Sequence, residues 1–451
     1  MSAADETDAG RRGAVPFKHV MAVFVGNGLE FYDFLTFSYF AVYIARTFYP
    51  SESPATGLLA TLATFGAGFL TRPIGAIVIG SMGDRIGRKP AMLVSFSLMG
   101  VAITGLALTP SYDAIGIAGS VLVVLFRLLQ GFALGGEVGP TTAFMAEAAP
   151  PHRRGLYLSM QFVTQDCAVL VAGLIGTSLA MMLTEQQLQA WGWRVAMLLG
   201  AVIVPFGLIL RRTLPETLHR ADDAAFAPDA TTGALTLRAK IRPFFRIIVL
   251  GLMMLAAGTI GSYTTGYMTT YALTTLQLTA SVSFGVIIVS GGIGVIFEAL
   301  SGWLSDRYGR KPVMLIPGVL LFVSILPCFW IIDQFRNVWA FYGAAAVMVM
   351  LAALSTVPII VTITESLPKS IRSGAVATIY AFAISIFGGS TQFVITWLIG
   401  VTNDPLAPAY YWTVAAAFGL CAMLLVKETA PIKRVMNHPA RKTIADAGVN
   451  G

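Results

Sequence analysis

The chain is 451 residues long, 56% hydrophobic and only 12% charged, with a mean hydropathy of +0.74. A soluble domain carries about 25% charged residues, so this chain has too little polar surface to face water over several domains. Its net charge of +7 sits in short basic clusters between apolar runs, the pattern of membrane-protein loops and not of a nucleic-acid-binding face.

Residues 1–18 lack the apolar core of a secretory signal and are expected to form a disordered cytoplasmic tail. Apolar runs long enough to cross a bilayer follow at 19–46, 56–82, 90–109, 115–148, 155–183 and 192–210. A polar linker at 211–244 interrupts them, and the pattern resumes at 245–275, 281–304, 312–332, 338–366, 371–400 and 408–427, before a polar tail at 428–451. The spacing predicts an all-α membrane protein of twelve transmembrane helices, in an N-terminal six-helix bundle (19–210) and a C-terminal one (245–427). Several runs exceed the about 20 residues that a span requires, which predicts tilted helices.

Most of the 30 Lys and Arg fall in loops on one side of these spans; Arg46, Arg194 and Arg336 are on the other side, and Arg72 and Arg127 lie within spans. The positive-inside rule then places both termini and the 211–244 loop in the cytoplasm. The expected location is a cell (inner) membrane, crossed many times. Cys167, Cys328 and Cys421 each lie inside an apolar segment. An odd set in that setting reads as small buried hydrophobes, not as a disulfide framework or a metal site.

The chain also repeats itself. GSMGDRIGRKP at 80–90 matches GWLSDRYGRKP at 302–312, Glu147 to Gly155 (EAAPPHRRG) resembles Glu365 to Gly374 (ESLPKSIRSG), and PET at 215–217 echoes KET at 427–429. The matches follow the second, fourth and sixth span of each half, so the halves read as duplicates, and duplicated halves suggest a transporter with a central site. Gly80 and Gly302 are expected to let neighbouring helices approach closely.

Ionisable groups within a membrane are costly and usually face a partner or an aqueous cavity. Asn27, Glu30 and Asp33 recur on about a third of the circumference of span 1. Arg72 lies about 18 Å along its helix from Asp84, at membrane depth, and Arg127 opens RLLQG on span 4. Two arginine forks near the midplane suit a substrate with two or three carboxylates, although Pro73 makes a carbonyl-capping role for Arg72 an equal reading. Glu137 reads equally as a functional carboxylate or as a structural partner of Arg72. Gln161, Gln165 and Asp166 lie on span 5, Tyr263, Tyr267 and Tyr271 on span 7, and Tyr380 and Gln392 on span 11. These read either as packing residues or as the polar lining of a cavity. The Gly-rich stretches GGIGV, FGAG and FALGG follow no strand, so they read as close-packing helices and not as nucleotide loops.

The doubled G-x-x-x-D-R-x-G-R-K pattern resembles the signature of the major facilitator superfamily, and the resemblance covers the whole chain. NGLEFYDF (27–34), FGAGFLTRPIGA (65–76), RLLQGFALGGEVG (127–139), WGWR (191–194) and IFGGSTQF (386–393) resemble the metabolite:proton symporters within it, most of all those for citrate or tricarballylate, then for 2-oxoglutarate. The resemblance implies the major facilitator fold, alternating access, and a cytoplasmic gate whose ion pairs form in one state and break in the other. The gate set is Asp84, Arg85, Arg88, Glu147, Asp306, Arg307, Arg310 and Glu365.

In proton-coupled sugar porters with the same R-x-x-x-G arrangement, an aspartate at the position resembling Asp33 pairs with the arginine. The implied proton-coupling set is therefore Glu30, Asp33, Arg127 and Glu137, with Glu30 as plausible a carrier as Asp33. A permanent Asp33–Arg127 ion pair is the structural alternative. The expected substrate-binding set is Asn27, Arg72, Arg127, Gln161, Gln165, Tyr267, Tyr271, Tyr380 and Gln392.

The sequence thus predicts a proton symporter of a small di- or tricarboxylate, with proline, betaine or 2-oxoglutarate as alternative cargo. No cofactor is expected beyond the coupling proton, for which sodium is the rival ion, and a monomer suffices. A non-transporting membrane sensor is the competing class. Enzyme chemistry lacks support, since His19, His152, His219 and His438 all lie near cytoplasmic ends.

Overall fold

The computed structural model describes residues 28, 31–32, 34–86, 88–135, 149–201 and 244–431, without the side chains of 83–85, 88, 89, 92, 151, 369–374 and 377. The N-terminal tail, most of the linker and the end of the C-terminal tail lie outside the described residues. Among the described residues every regular element is a helix, and nine helices are long and apolar enough to cross a membrane.

The first expected span contributes helix over 34–39 and α1 (Ala41–Phe48). The next comprises α2 (Pro54–Leu70) and α3 (Arg72–Ile86), interrupted only at Thr71. Then come α4 (Arg88–Leu108), α5 (Ile117–Leu134) and α6 (Arg154–Met182). A π-helical turn at Leu188–Gly192 leads into helix over 193–201. In the second half α7 (Phe245–Thr274), α8 (Ala280–Tyr308), α9 (Arg310–Phe335) and α10 (Val338–Ser366) match four expected spans. The eleventh is α11 (Lys369–Ala383) and α12 (Gly389–Thr402), joined by a π-helical turn at Ile384–Gly388. The last is α13 (Ala407–Leu425).

Local rules explain several boundaries. Gly309 separates α8 from α9 at φ +104°, a conformation that suits only glycine. Asn337 caps α10 by accepting the Ala340 amide at 2.8 Å. Pro358 lies inside α10 and offers no N–H to the Leu354 carbonyl one turn earlier. The Ser301 hydroxyl of α8 donates to that carbonyl at 2.7 Å, so the freed acceptor is satisfied by a neighbouring helix, as membrane interiors require.

Lipid supplies no hydrophobic force between spans, so close approach through small residues does much of the packing. α6 and α8, one from each half, approach at Gly155 against Gly302, at Gly173 against Ile287, and at Gly176 against Phe284. Within the first half, Gly131 of α5 and Gly135, just past its end, lie against the carbonyls of Gly68 and Arg72. These contacts involve the FGAG and FALGG stretches that the sequence marked as packing motifs. Gly80 behaves differently from the expectation, because no described atom lies within 4 Å of where its Cβ would be.

The cysteine reading also needs correction: Cys328 is buried, whereas Cys167 and Cys421 are exposed. An apolar neighbourhood in a membrane helix suits an outward, lipid-facing position as well as a buried one, so it does not imply burial.

Candidate functional site

The end of the bundle that carries Arg154, Asp306 and Arg310 is termed the basic end. There, Asp306 Oδ1 accepts the Gly155 amide at 2.8 Å and Oδ2 the Leu156 amide at 2.9 Å. These are first-turn donors of α6, groups that have no partner within their own helix. A carboxylate of one half therefore caps a helix of the other. Arg310, 1% exposed, donates to Asp306 at 2.6 Å and grips Glu365 through Nε at 3.3 Å and Nη2 at 3.1 Å. Arg154 of α6 reaches the same Glu365 at 3.9 Å.

The KET repeat completes this network. The Thr429 hydroxyl donates to Glu365 at 2.7 Å, and Glu428 accepts the Arg310 and Lys311 amides at the start of α9, each at 3.0 Å. Burial pushes the Glu428 carboxyl up, but the amides of Ala430, Arg310, Lys311 and Thr429 outweigh it and hold the group below the ordinary carboxylate range. Lys311 in turn donates to the carbonyls of Leu424 and Val426 at the end of α13. Arg307 stands apart from the network, exposed, with its guanidinium 5.5 Å from the Trp303 ring centre.

Deeper in the bundle, the two intramembrane arginines converge on one ring. The Phe34 centroid lies 4.5 Å from the Arg72 guanidinium carbon and 4.4 Å from that of Arg127. Arg127 also meets Phe37 at 4.4 Å and Phe65 at 5.0 Å, and Arg72 meets Phe69 at 4.4 Å. Desolvated cation–π contacts of this kind contribute up to about 2 kcal/mol each. Arg127 is fully buried and donates to Gln130 on its own helix. Arg72 lies close enough to Tyr263 and Tyr380 of the other half to act on them electrostatically.

Beside this cluster lies a cavity of about 180 Å³ lined from both halves. Its polar lining includes Tyr39, Gln165, Asp166, Tyr263, Glu298 and Tyr380. Away from the basic end the halves meet again, where the Phe284 ring of α8 packs 4.6 Å from Phe40. Ser38 donates to Gln392 at 2.7 Å across the same boundary.

The model of the Major Facilitator Superfamily matches residues 23–390 and 293–444. The chain belongs to that superfamily. It is 35% identical to a citrate-proton symporter of Salmonella typhi over 418 residues, 91% of this chain and 94% of the relative. It is 34% identical to an alpha-ketoglutarate permease of Escherichia coli (strain K12) over 390 residues, 86% of this chain and 88% of that one. Among solved structures it resembles the D-xylose-proton symporter, with a TM-score of 0.71, 18% identity, and 92% and 98% of the two chains covered. At that identity the likeness shows the shared fold. As a member of the superfamily the chain is a multi-pass membrane protein of the transporter class, not an enzyme.

Gln165 and Tyr380 line the cavity. Tyr267 and Tyr271 do not: Tyr267 accepts from Thr396 at 3.0 Å, and Tyr271 donates to the Pro405 carbonyl at 2.9 Å, both within the core. Gln392 is 1% exposed and spans the interface, between Ser38 and the Tyr263 carbonyl. Gln161 is buried on α6 outside the cavity lining, and neither Arg72 nor Arg127 belongs to that lining. Asn27, Glu30, Asp33, Glu137 and Glu147 lie outside the described residues, as do the side chains of Asp84, Arg85 and Arg88.

Sequence reasoning missed Glu298, Tyr39 and the phenylalanine platform beneath the arginines. A charged residue inside the apolar run IFEALSG was the available signal for Glu298. The aromatic density of FYDFLTFSYF was the signal for the platform.

Proposed function

We propose that the chain is a proton symporter that imports a small di- or tricarboxylate, with citrate or tricarballylate as the favoured cargo. The observation that carries this reading is the similarity to a citrate-proton symporter over 91% of the chain. Buried Arg127 and partly buried Arg72 beside a cavity shared by the halves fit it, since guanidinium forks match carboxylates in charge and geometry. A dicarboxylate such as 2-oxoglutarate is the second reading, favoured by the similarity to an alpha-ketoglutarate permease.

In this reading the basic end faces the cytoplasm, and the Asp306–Arg310–Glu365 network with its cap on α6 is the closed gate. Substrate and proton enter from outside, the gate parts, and both leave inside. The Arg127 guanidinium alternates between a carboxylate of span 1 and the substrate. Protonation of Asp33 or Glu30 frees the arginine. Its phenylalanine platform keeps the guanidinium in place while partners exchange. The protein works as a monomer, with the proton as coupling ion.

Uptake of labelled citrate into proteoliposomes under an inward proton gradient tests the proposal. Tricarballylate, 2-oxoglutarate, proline and betaine serve as competitors. Accumulation abolished by a protonophore and blocked by tricarballylate is the expected result. Uptake indifferent to the gradient would leave a facilitator or exchanger. Osmolyte uptake that citrate does not inhibit would remove the carboxylate reading.

A further inference from the structure

The described membrane interior holds two carboxyl groups that the mechanism above does not use. Asp166 of α6 and Glu298 of α8 come from opposite halves, lie within hydrogen-bonding reach of each other, and both line the central cavity. Glu298 is 8% exposed, and its Oε2 is buried with no hydrogen-bond partner. Asp166 fits against α8 because position 294 is glycine: a Cβ there would overlap the Asp166 carboxylate. Gly291 makes a similar close approach to Leu170, with the backbone nitrogen 2.5 Å from where its Cβ would be. The sequence thus provides a slot that brings the carboxyls together.

A hydrogen bond between two carboxyl groups requires that one of them carry a proton. Two ionised carboxylates side by side would repel, and they share a proton instead. Among the described residues, the titratable groups near the pair are Tyr39 and Cys167, with Tyr263 and Tyr380 elsewhere on the cavity lining, and none of them is a cation. We propose that Asp166 and Glu298 form a second proton-binding site, shared between the halves, whose proton holds α6 against α8 and is released when the helices part.

This deepens the proton-symport reading and rests on it. Because each half supplies one carboxyl, the site is complete only while α6 and α8 are apposed. Proton occupancy and the arrangement of the halves are then linked, each favouring the other by the same free energy. Loading is a proton transfer alone. A hydronium ion reaching the cavity gives up the proton, its O–H bond breaking to leave water as an O–H bond forms on one carboxyl, and that hydroxyl donates to the other. On release the O–H bond breaks, the proton returns to water, and no electrons change hands.

The test uses the purified full-length protein in liposomes, with citrate as the probe. Infrared difference spectra across a pH titration are expected to contain a protonated-carboxyl component that disappears equally in Asp166→Asn and Glu298→Gln. The double variant should show no further loss, which two independent carboxyls would not produce. In parallel, the number of protons moved per citrate is expected to fall in both single variants. Persistence of the infrared component in either variant, or an unchanged proton-to-citrate ratio in both, overturns the proposal. A wild-type protein that moves citrate without protons sinks the symport reading instead, and the infrared result stands apart from it. Should the substitutions prevent folding, spin labels replacing Met181 and Thr279, both exposed, report the α6–α8 separation in the otherwise wild-type chain. That separation is expected to widen as pH rises, and a pH-independent separation overturns the proposal.

Discussion

Asp306 and Gly155 join the two halves: the aspartate of α8 accepts the glycine amide of α6 at 2.8 Å. The contact depends on a carboxylate at one helix end and unsatisfied amides at another, so it is lost as soon as the helices separate. Asp306→Ala removes this cap, worth about 1 kcal/mol, and also takes away a partner of buried Arg310. The ratio of basic-end-closed to basic-end-open forms is expected to fall by about five- to tenfold, since 1.4 kcal/mol corresponds to tenfold in an equilibrium constant. Pulsed distance measurements between spin labels across the basic end provide the check. A distance distribution like that of the wild type would remove Asp306 from the gate.

Gly302 and Gly80 occupy equivalent places in the two repeats but have different surroundings. A Cβ at Gly302 would sit 2.7 Å from the Gly155 carbonyl oxygen, whereas none of the described atoms lies within 4 Å of one at Gly80. Backbone cannot rotate away as a side chain can, so Gly302→Ala must push α6 and α8 apart. Overpacking of this kind costs about 1–3 kcal/mol, while Gly80→Ala should stay within about 0.5 kcal/mol of wild type. Thermal unfolding in detergent distinguishes the two. Equal losses at both positions would contradict the packing argument.

Arg127→Lys keeps the charge and discards the planar guanidinium. The ammonium offers no face to stack on Phe34, Phe37 and Phe65 and no two-pronged fork for a carboxylate. Citrate uptake is expected to drop about tenfold or more, for a loss of about 1.4 kcal/mol or greater in transition-state or substrate binding. Initial rates normalised to protein in the membrane provide the measurement. Full activity in the lysine variant would mean that charge alone is what the site requires.

Glu428 carries a pH signature at the basic end. Its carboxyl is held below the ordinary range in the folded protein, so its ionised form stabilises the fold. That stabilisation is complete above the ordinary glutamate range and is lost as pH falls through the depressed folded value. Glu428→Gln should therefore unfold at a lower temperature than wild type at neutral pH, with the gap closing under acid conditions. A gap independent of pH would assign the effect to packing.

The Asp306–Arg310–Glu365 network was legible because it is built from helix ends, where short motifs obey local rules. DRYGRKP combines a terminal carboxylate, a left-handed glycine at 309 and a basic first turn. The KET echo was visible as a repeat, but its use as a cap on α9 was not, because Glu428 and Arg310 are far apart in the chain. The tyrosine stripe of α7 had the right spacing for one helix face. What each hydroxyl meets depends on other helices, and only Tyr263 of the three reaches the cavity.

Composition and hydropathy by themselves determined that the chain spans a membrane. The internal repeats determined that it has two related halves, and the motifs determined the superfamily. These properties are written in local periodicity and in charge placement relative to lipid, so one dimension contains them. Only the tertiary structure decided that Arg72 and Arg127 share the Phe34 ring, that Asp306 caps a helix of the other half, and that Asp166 meets Glu298. Each of these joins residues from different helices, and their meeting is set by which glycines let those helices touch and by how much each is turned about its axis. In a span whose every face is apolar, the sequence carries little information about that rotation.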